Sequence, residues 1–500
     1  MADEPLRILY LAAEVEPFAR TGGLAEVAGA LPRALRALGH DIRVATPCYG
    51  HIDAERWQLQ RIEPHYTVPL DNRSEEAHIL TGTLLNSDVP IWFIANDRLF
   101  GSPELYLGEP DAERFIFWAR ASLEAARAMD WQPDVIHVND WHSAIVANWL
   151  RTSYRRDPFF RDAAVLYTIH TLAYRGVFGQ RVLEIAGIGE YGFIAHPDLP
   201  HLHRMVDLMS RGIYYADIIN TVSPTHAREI LTAAYGEGLD PMLRDRRDRL
   251  FGVLNGIDLD RYNPATDTYT AAPYTATDIS GKADCKAALQ TAAGLNIAPQ
   301  TPLFCFIGRL NEQKGLGLLQ GSLELLLSHH RIQVVILGTG EEHYHQWLAA
   351  LHNRYPQSIQ SFFTFNEALA HQCYAGSDVL LMPSLVEPGG TNQLIAQRYG
   401  TLPLVRTTGG LADTVQDINT YAGTGTGFTF AAAEMQALYG TMVRATELYR
   451  HAGLWQEAMK RAMLIDWSWE RTALRYEELY RRAQASRSAR RPHSSYGADN

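Results

Sequence analysis

Asp378-Val379-Leu380-Leu381-Met382-Pro383-Ser384-Leu385-Val386-Glu387-Pro388-Gly389-Gly390-Thr391-Asn392-Gln393 is followed closely by Thr401-Leu402-Pro403-Leu404-Val405 and Thr407-Thr408-Gly409-Gly410-Leu411. The first apolar run reads as a strand buried on both faces. A glycine-containing loop, a short helical pattern (Gln393 to Tyr399), a second apolar strand and a second glycine pair complete the unit. Strand, loop, helix, strand, loop is a βαβ unit, whose strand ends build ligand crevices. Glu387 falls just past the strand end, where a carboxylate can accept hydrogen bonds from sugar hydroxyls. Gly389 and Gly390 allow close backbone approach. The N–H groups of Gly390, Thr391 and Asn392 would open the next helix, a natural place for an anion. A lone Gly-Gly would mean only a turn. Two glycine loops in one βαβ unit favour a site for a phosphate-bearing sugar.

The same theme opens the chain. Ile8 to Ala12 reads as a strand, and Arg20-Thr21-Gly22-Gly23-Leu24 follows on the loop after it. Ala25 to Leu38 then has apolar residues at helical spacing (Val27, Leu31, Leu35, Leu38), and Gly39 stops the helix. Ile42 to Thr46 is the second strand. The Gly-Gly loop is not the GxGxxG of dinucleotide binding. Further strands are expected at Val89–Ala95, at Asp134–Val138, at Leu166–His170, at Ile218–Val222, at Pro302–Gly308 and at Val334–Leu337. Helices are expected over Ala112–Met129 and Trp141–Leu150. Asp140 and His170 come at strand ends: the aspartate either caps the helix after it or faces the crevice. Arg309 and Lys314 lie five residues apart on a loop after a strand, a spacing suited to a diphosphate. Asn255 either fixes a turn or bonds a substrate, and Phe365 is either buried or a stacking surface for a base.

Taken together, these motifs resemble those of bacterial glycogen synthases and plant starch synthases, the family-five nucleotide-sugar glucosyltransferases. Arg20-Thr21-Gly22-Gly23-Leu24 is similar to the family's Lys-x-Gly-Gly-Leu. Asp140-Trp141-His142, Thr168-Ile169-His170, Asn255-Gly256-Ile257-Asp258, Arg309-Leu310-Asn311-Glu312-Gln313-Lys314-Gly315 and Thr408-Gly409-Gly410-Leu411 follow in the family's order. The chain departs from the pattern at Arg20 (usually Lys), Gly389 (usually Cys) and Thr391 (usually Leu). The resemblance implies an α/β protein of two Rossmann-like, doubly wound domains facing a cleft, the GT-B fold. It places residues 1–262 in the first domain, 263–465 in the second, and 466–485 in a helix returning to the first. Residues 486–500 read as a disordered tail.

The resemblance also implies the reaction: retaining transfer of glucose from ADP-glucose to the non-reducing 4-OH of an α-1,4-glucan. Glu387, His170 and Asp140 would hold the glucose. Arg309, Lys314 and the loop Gly389–Asn392 would neutralise the departing diphosphate without a metal or other cofactor. Arg20, Gly22, Gly23, Asn255 and Phe365 complete the expected substrate contacts. Two other readings stay open: a glucan-binding or initiating relative without turnover, and a UDP-glucose-dependent enzyme of the same fold.

Length and composition agree. Five hundred residues exceed one core. The net charge of −11 argues against nucleic acid as a partner. Cys48, Cys285, Cys305 and Cys373 are scattered, as thiols in a reducing compartment are. No apolar run reaches membrane-spanning length and no signal peptide is visible, so the expectation is a cytoplasmic protein, or a stromal one after loss of a transit peptide.

Overall fold

Nearly continuous apolar runs make the strands here, because helices cover both faces of a parallel sheet. The computed structural model describes residues 4–489 apart from 190–193, 195, 200, 201, 203 and 204. The chain divides into two compact units, one comprising residues 1–222, 227–253 and 469–500, the other 223–226 and 254–468.

In the first unit the strands are β1 (Arg7–Leu11), β2 (Asp41–Pro47), β3 (Gln60–Leu70), β4 (Arg73–Thr83), β5 (Pro90–Ala95), β6 (Val135–Asn139), β7 (Ala164–Ile169), a short ribbon of β8 (Val177–Phe178) with β9 (Val206–Asp207), then β10 (Ile218–Thr221) and β11 (Leu250–Gly252). The main sheet runs β11-β10-β7-β6-β1-β2-β5-β4-β3. It is parallel except where β4 meets β3 and β5. From β1 the chain runs outward through β2 to β3 and back to β5 on one side, then crosses over to β6 on the other side of β1. The gap between β1 and β6 is the switch point, where doubly wound sheets bind ligands.

The helix Gly23–Ala37 covers this sheet with Leu24, Val27, Leu31 and Leu35, while Leu38, expected on the same face, is the exposed C-cap residue. The expected helix 141–150 is two short ones, Asp140–Ser143 and Ile145–Arg151. The last helix, Trp469–Ala489, runs through residues 486–489, which had read as tail; 490–500 lie outside the described residues. It buries Trp469, Ala473, Tyr476, Tyr480 and Ala483, a stripe at helical spacing, whereas Leu474 faces solvent. The Tyr480 hydroxyl meets His137 Nδ1 at 2.8 Å, and His137 Nε2 meets Thr168 Oγ1 at 2.8 Å. Burial holds the His137 pKa well below its usual value.

In the second unit the strands are β12 (Leu303–Ile307), β13 (Gln333–Leu337), β14 (Ile359–Phe362), β15 (Val379–Met382), β16 (Leu402–Arg406) and β17 (Phe428–Phe430). They form one parallel sheet in the order β14-β13-β12-β15-β16-β17. The switch point lies between β12 and β15. Asp378, expected as the first strand residue, instead anchors the sheet's other end: its Oδ2 accepts from the Leu303 N–H and from Lys286 Nζ, both at 2.7 Å. Among the described residues no helix is long and apolar enough to cross a membrane.

The Tyr480–His137 contact gives a direct test of the last helix's attachment. Tyr480→Phe should destabilise the first unit by about 1–2 kcal/mol, the cost of one buried unpaired group, read as a lower denaturant midpoint with an unchanged slope.

Candidate active site

In each unit several of the expected site residues lie at the switch point. In the first, β6 ends at Asn139, and Asn139 ties three strands together. Its Nδ2 donates to the Leu11 carbonyl at 2.9 Å. Its Oδ1 accepts from His170 Nε2 at 3.0 Å and from the Tyr10 hydroxyl at 3.4 Å. Because Nε2 donates, Nδ1 of the neutral His170 ring is left as an acceptor. Burial pushes the His170 pKa down to about 4.

Asp140 does not cap the helix that begins there. Its Oδ1 accepts from the backbone N–H of His170 at 2.8 Å. Its φ is +50°, left-handed backbone that an aspartate tolerates and most side chains do not. Such a conformation persists where the surroundings impose it, commonly at functional sites. Burial, aided by the nearby Glu14 charge, pushes its pKa up to about 7.

Glu14 is a residue the motif reading passed over. Its buried carboxylate accepts from the Thr21 N–H and hydroxyl, both at 2.6 Å, from the Gly22 N–H at 3.1 Å and from the Tyr106 hydroxyl. Glu14 thus sets the path of the Gly22–Gly23 loop. Arg20 on that loop gives Nη1 to Glu16 at 2.9 Å and Nη2 to Glu26 at 2.6 Å.

In the second unit Glu387, from the loop after β15, meets Lys314, from the loop after β12. Lys314 Nζ lies 2.5 Å from Glu387 Oε2, which also accepts from Ser384 Oγ at 3.0 Å. Glu387 is 7% exposed. Gly390 has φ +71°, the turn that carries the chain into the helix Asn392–Arg398 behind the Thr391 N-cap. Asn392 Nδ2 donates to the carbonyl of Ile307, the last residue of β12, at 2.9 Å. The Gly410 N–H bonds the carbonyls of Glu387 and Pro388 at 3.1 and 3.0 Å, so the two glycine loops touch. Arg309 is exposed on the loop after β12 and its side chain has no partner among the described residues. Phe365 is 81% exposed, so the buried alternative falls. Asn255 Oδ1 is buried with no hydrogen-bond partner among the described residues. Among those residues no group of three or more His, Cys, Asp or Glu is placed to hold a metal ion.

The chain is similar to known proteins over nearly its whole length. The starch synthase catalytic domain model matches residues 7–245, and that of the glycosyl transferases group 1 matches 290–455. A glycogen synthase from Moorella thermoacetica is 41% identical over 489 residues, 97% of this chain and 99% of its own length. The chain belongs to the glycogen and starch synthase family. A glycogen synthase from an Anaeromyxobacter species is 42% identical over 481 residues, 95% of this chain and 99% of that one. The solved catalytic domain of Starch Synthase IV from Arabidopsis thaliana, bound to ADP and acarbose, superposes with a TM-score of 0.88 at 32% identity, over 96% of this chain and 100% of that one. This family member is therefore a glucosyltransferase of the GT-B fold.

Asp140 makes the site's pH dependence testable. The folded state holds its proton more tightly than the unfolded chain does. Stability therefore falls as pH rises from the ordinary value of 3.8 toward about 7. Asp140→Asn should match the wild type near pH 4 and exceed it by a few kcal/mol at pH 8, at about 1.4 kcal/mol per unit. Denaturation curves at the two pH values check this; an equal difference at both would show that the Asp140 pKa is ordinary.

Proposed function

We propose that the protein transfers glucose from ADP-glucose to the non-reducing 4-OH of an α-1,4-glucan, with retention at C1 and release of ADP. The Lys314–Glu387 pair at the second unit's switch point carries this reading. A nucleotide sugar brings an anionic diphosphate and a ring of hydroxyl groups, and the pair offers one partner for each. Lys314 and Arg309 take the phosphates, with the backbone of Gly389–Asn392 beside them. The C1–O bond breaks toward the diphosphate, whose growing charge these fixed groups stabilise without reorganising. They take the part that a divalent metal plays elsewhere.

Glu387 accepts from glucose hydroxyls, and in the first unit His170, through Nδ1, and Asp140 are assigned to substrate sugar hydroxyls. Asn255 supplies the acceptor its Oδ1 leaves unused, and the exposed ring of Phe365 stacks on adenine. Gly22 and Gly23 keep the first loop open to substrate, and Arg20 contributes a further phosphate contact. The relative solved with ADP and acarbose supports a nucleotide donor and a glucan acceptor. We assign it to the cytoplasm, a compartment that suits a glucan polymer and its nucleotide donor.

Labelled glucose should enter glycogen from ADP-glucose in the presence of EDTA. Incorporation from UDP-glucose alone would change the donor, and glycogen binding without transfer would mark a non-catalytic relative. Glu387→Gln should keep the fold and lower kcat by roughly 10²-fold or more, the usual cost of removing one group that meets the transition state. Turnover at the wild-type rate would remove Glu387 from the reaction.

A further inference from the structure

Gln393, in the first turn of the helix Asn392–Arg398, has no exposed surface, and its side chain turns back under the glycine loop that precedes it. Its Nε2 lies 3.1 Å from the Gly389 carbonyl oxygen, 3.2 Å from that of Gly390 and 3.2 Å from Thr414 Oγ1. Carbonyl oxygens only accept, so it is the NH2 of the amide, not its oxygen, that faces them. A Cβ at position 390 would lie 2.7 Å from Gln393 Oε1, and the φ there is +71°. Only glycine lets the amide sit this close.

Thr414 extends the contact to the second glycine loop. Its hydroxyl donates to the Gly410 carbonyl at 2.6 Å while accepting from Gln393. Gln397, one helical turn after Gln393 and equally buried, donates through Nε2 to the Thr414 carbonyl at 2.9 Å. Three uncharged polar side chains thus hold both loops from beneath. The arrangement has a cost: Gln393 Oε1 is buried with no hydrogen-bond partner among the described residues. An apolar side chain of the same length would fill the space without that cost, so packing alone does not account for the amide.

What the amide fixes is the direction of two peptide groups. Both are trans, and the C=O and N–H of a trans peptide point opposite ways. With the carbonyls of Gly389 and Gly390 drawn inward, the N–H groups of Gly390 and Thr391 face away from the buried amide. A pair of glycines has no side chain with which to hold its own peptide planes. We propose that Gln393, supported by Thr414, is a positioning residue for the donor: it keeps these two N–H groups turned toward the diphosphate. Gln393 itself does not touch the donor. This rests on the nucleotide-sugar reading above.

The test compares ligands that differ in their phosphates, using the full-length protein. Gln393→Met keeps the length of the side chain and removes its N–H groups, and Thr414→Val removes the hydroxyl at nearly equal size. Each should raise KM for ADP-glucose and the inhibition constant of ADP roughly 10-fold, the worth of a hydrogen bond to a charged group. Inhibition by adenosine, which has no phosphate, and KM for glycogen should not change. Thr414→Ser, which keeps the hydroxyl, should behave as wild type. Unchanged ADP inhibition in the folded variants would overturn the proposal. Equal weakening of ADP and adenosine would overturn it too, since a merely structural loss has that effect. Wild-type protein that ADP does not inhibit would instead remove the nucleotide-sugar reading.

Discussion

A Cβ on Gly410 would lie 1.9 Å from the Gly389 carbonyl oxygen, and one on Gly409 2.0 Å from that of Glu387. The loops after β15 and β16 therefore touch backbone to backbone, with no side chain between them. This approach lets the Gly410 N–H hold the Glu387 carbonyl and so fixes where the Glu387 side chain starts. Arg406, the last residue of β16, reinforces it: Nε donates to the Ser384 carbonyl at 2.8 Å and Nη2 to that of Leu385. A buried carboxylate is costly unless it is paired. Because its backbone is held this way, Glu387 can meet both Lys314 and Ser384. A methyl group at position 410 would separate the loops and leave that charge without its partners.

The first unit solves the same problem with side chains. Asn139 has one donor aimed at β1 and one acceptor shared between β1 and β7. An amide suits this place because it gives and receives at once, with no charge to desolvate. Asp140 follows it in a left-handed turn and secures the start of the next loop through the His170 N–H. The outcome is a neutral histidine and an aspartate whose proton is held near neutrality, side by side. Their environments differ from water in the same way, by burial, and that one cause moves an acid up and a base down.

The strands at the centre of each sheet were legible because burial on two faces leaves unbroken apolar runs, as in Leu380–Met382 or Ile8–Ala12. The antiparallel β3 and β4 were not. Each has one wetted face, and Glu63, His65, Glu75 and Glu76 interrupt the pattern. The break at Ala144 carries no proline or glycine to announce it. Motif spacing picked out Lys314 and Glu387, but nothing local says that residues 73 positions apart form one ion pair. Glu14 was harder still, since one of its donors, Tyr106, is 92 residues away. Residues that act through long-range hydrogen bonds leave little trace in local pattern.

Arg20 shows why a departure from a family pattern need not be a loss. Its guanidinium fork reaches Glu16 on one side and Glu26, in the first turn of the next helix, on the other. A lysine ammonium is a single point of charge and would not be held in one plane by both carboxylates. The arginine thus links the loop to the helix start, where Glu26 already suits the helix dipole. The arginine side chain is thereby part of the loop's structure, a place that a lysine would hold less firmly.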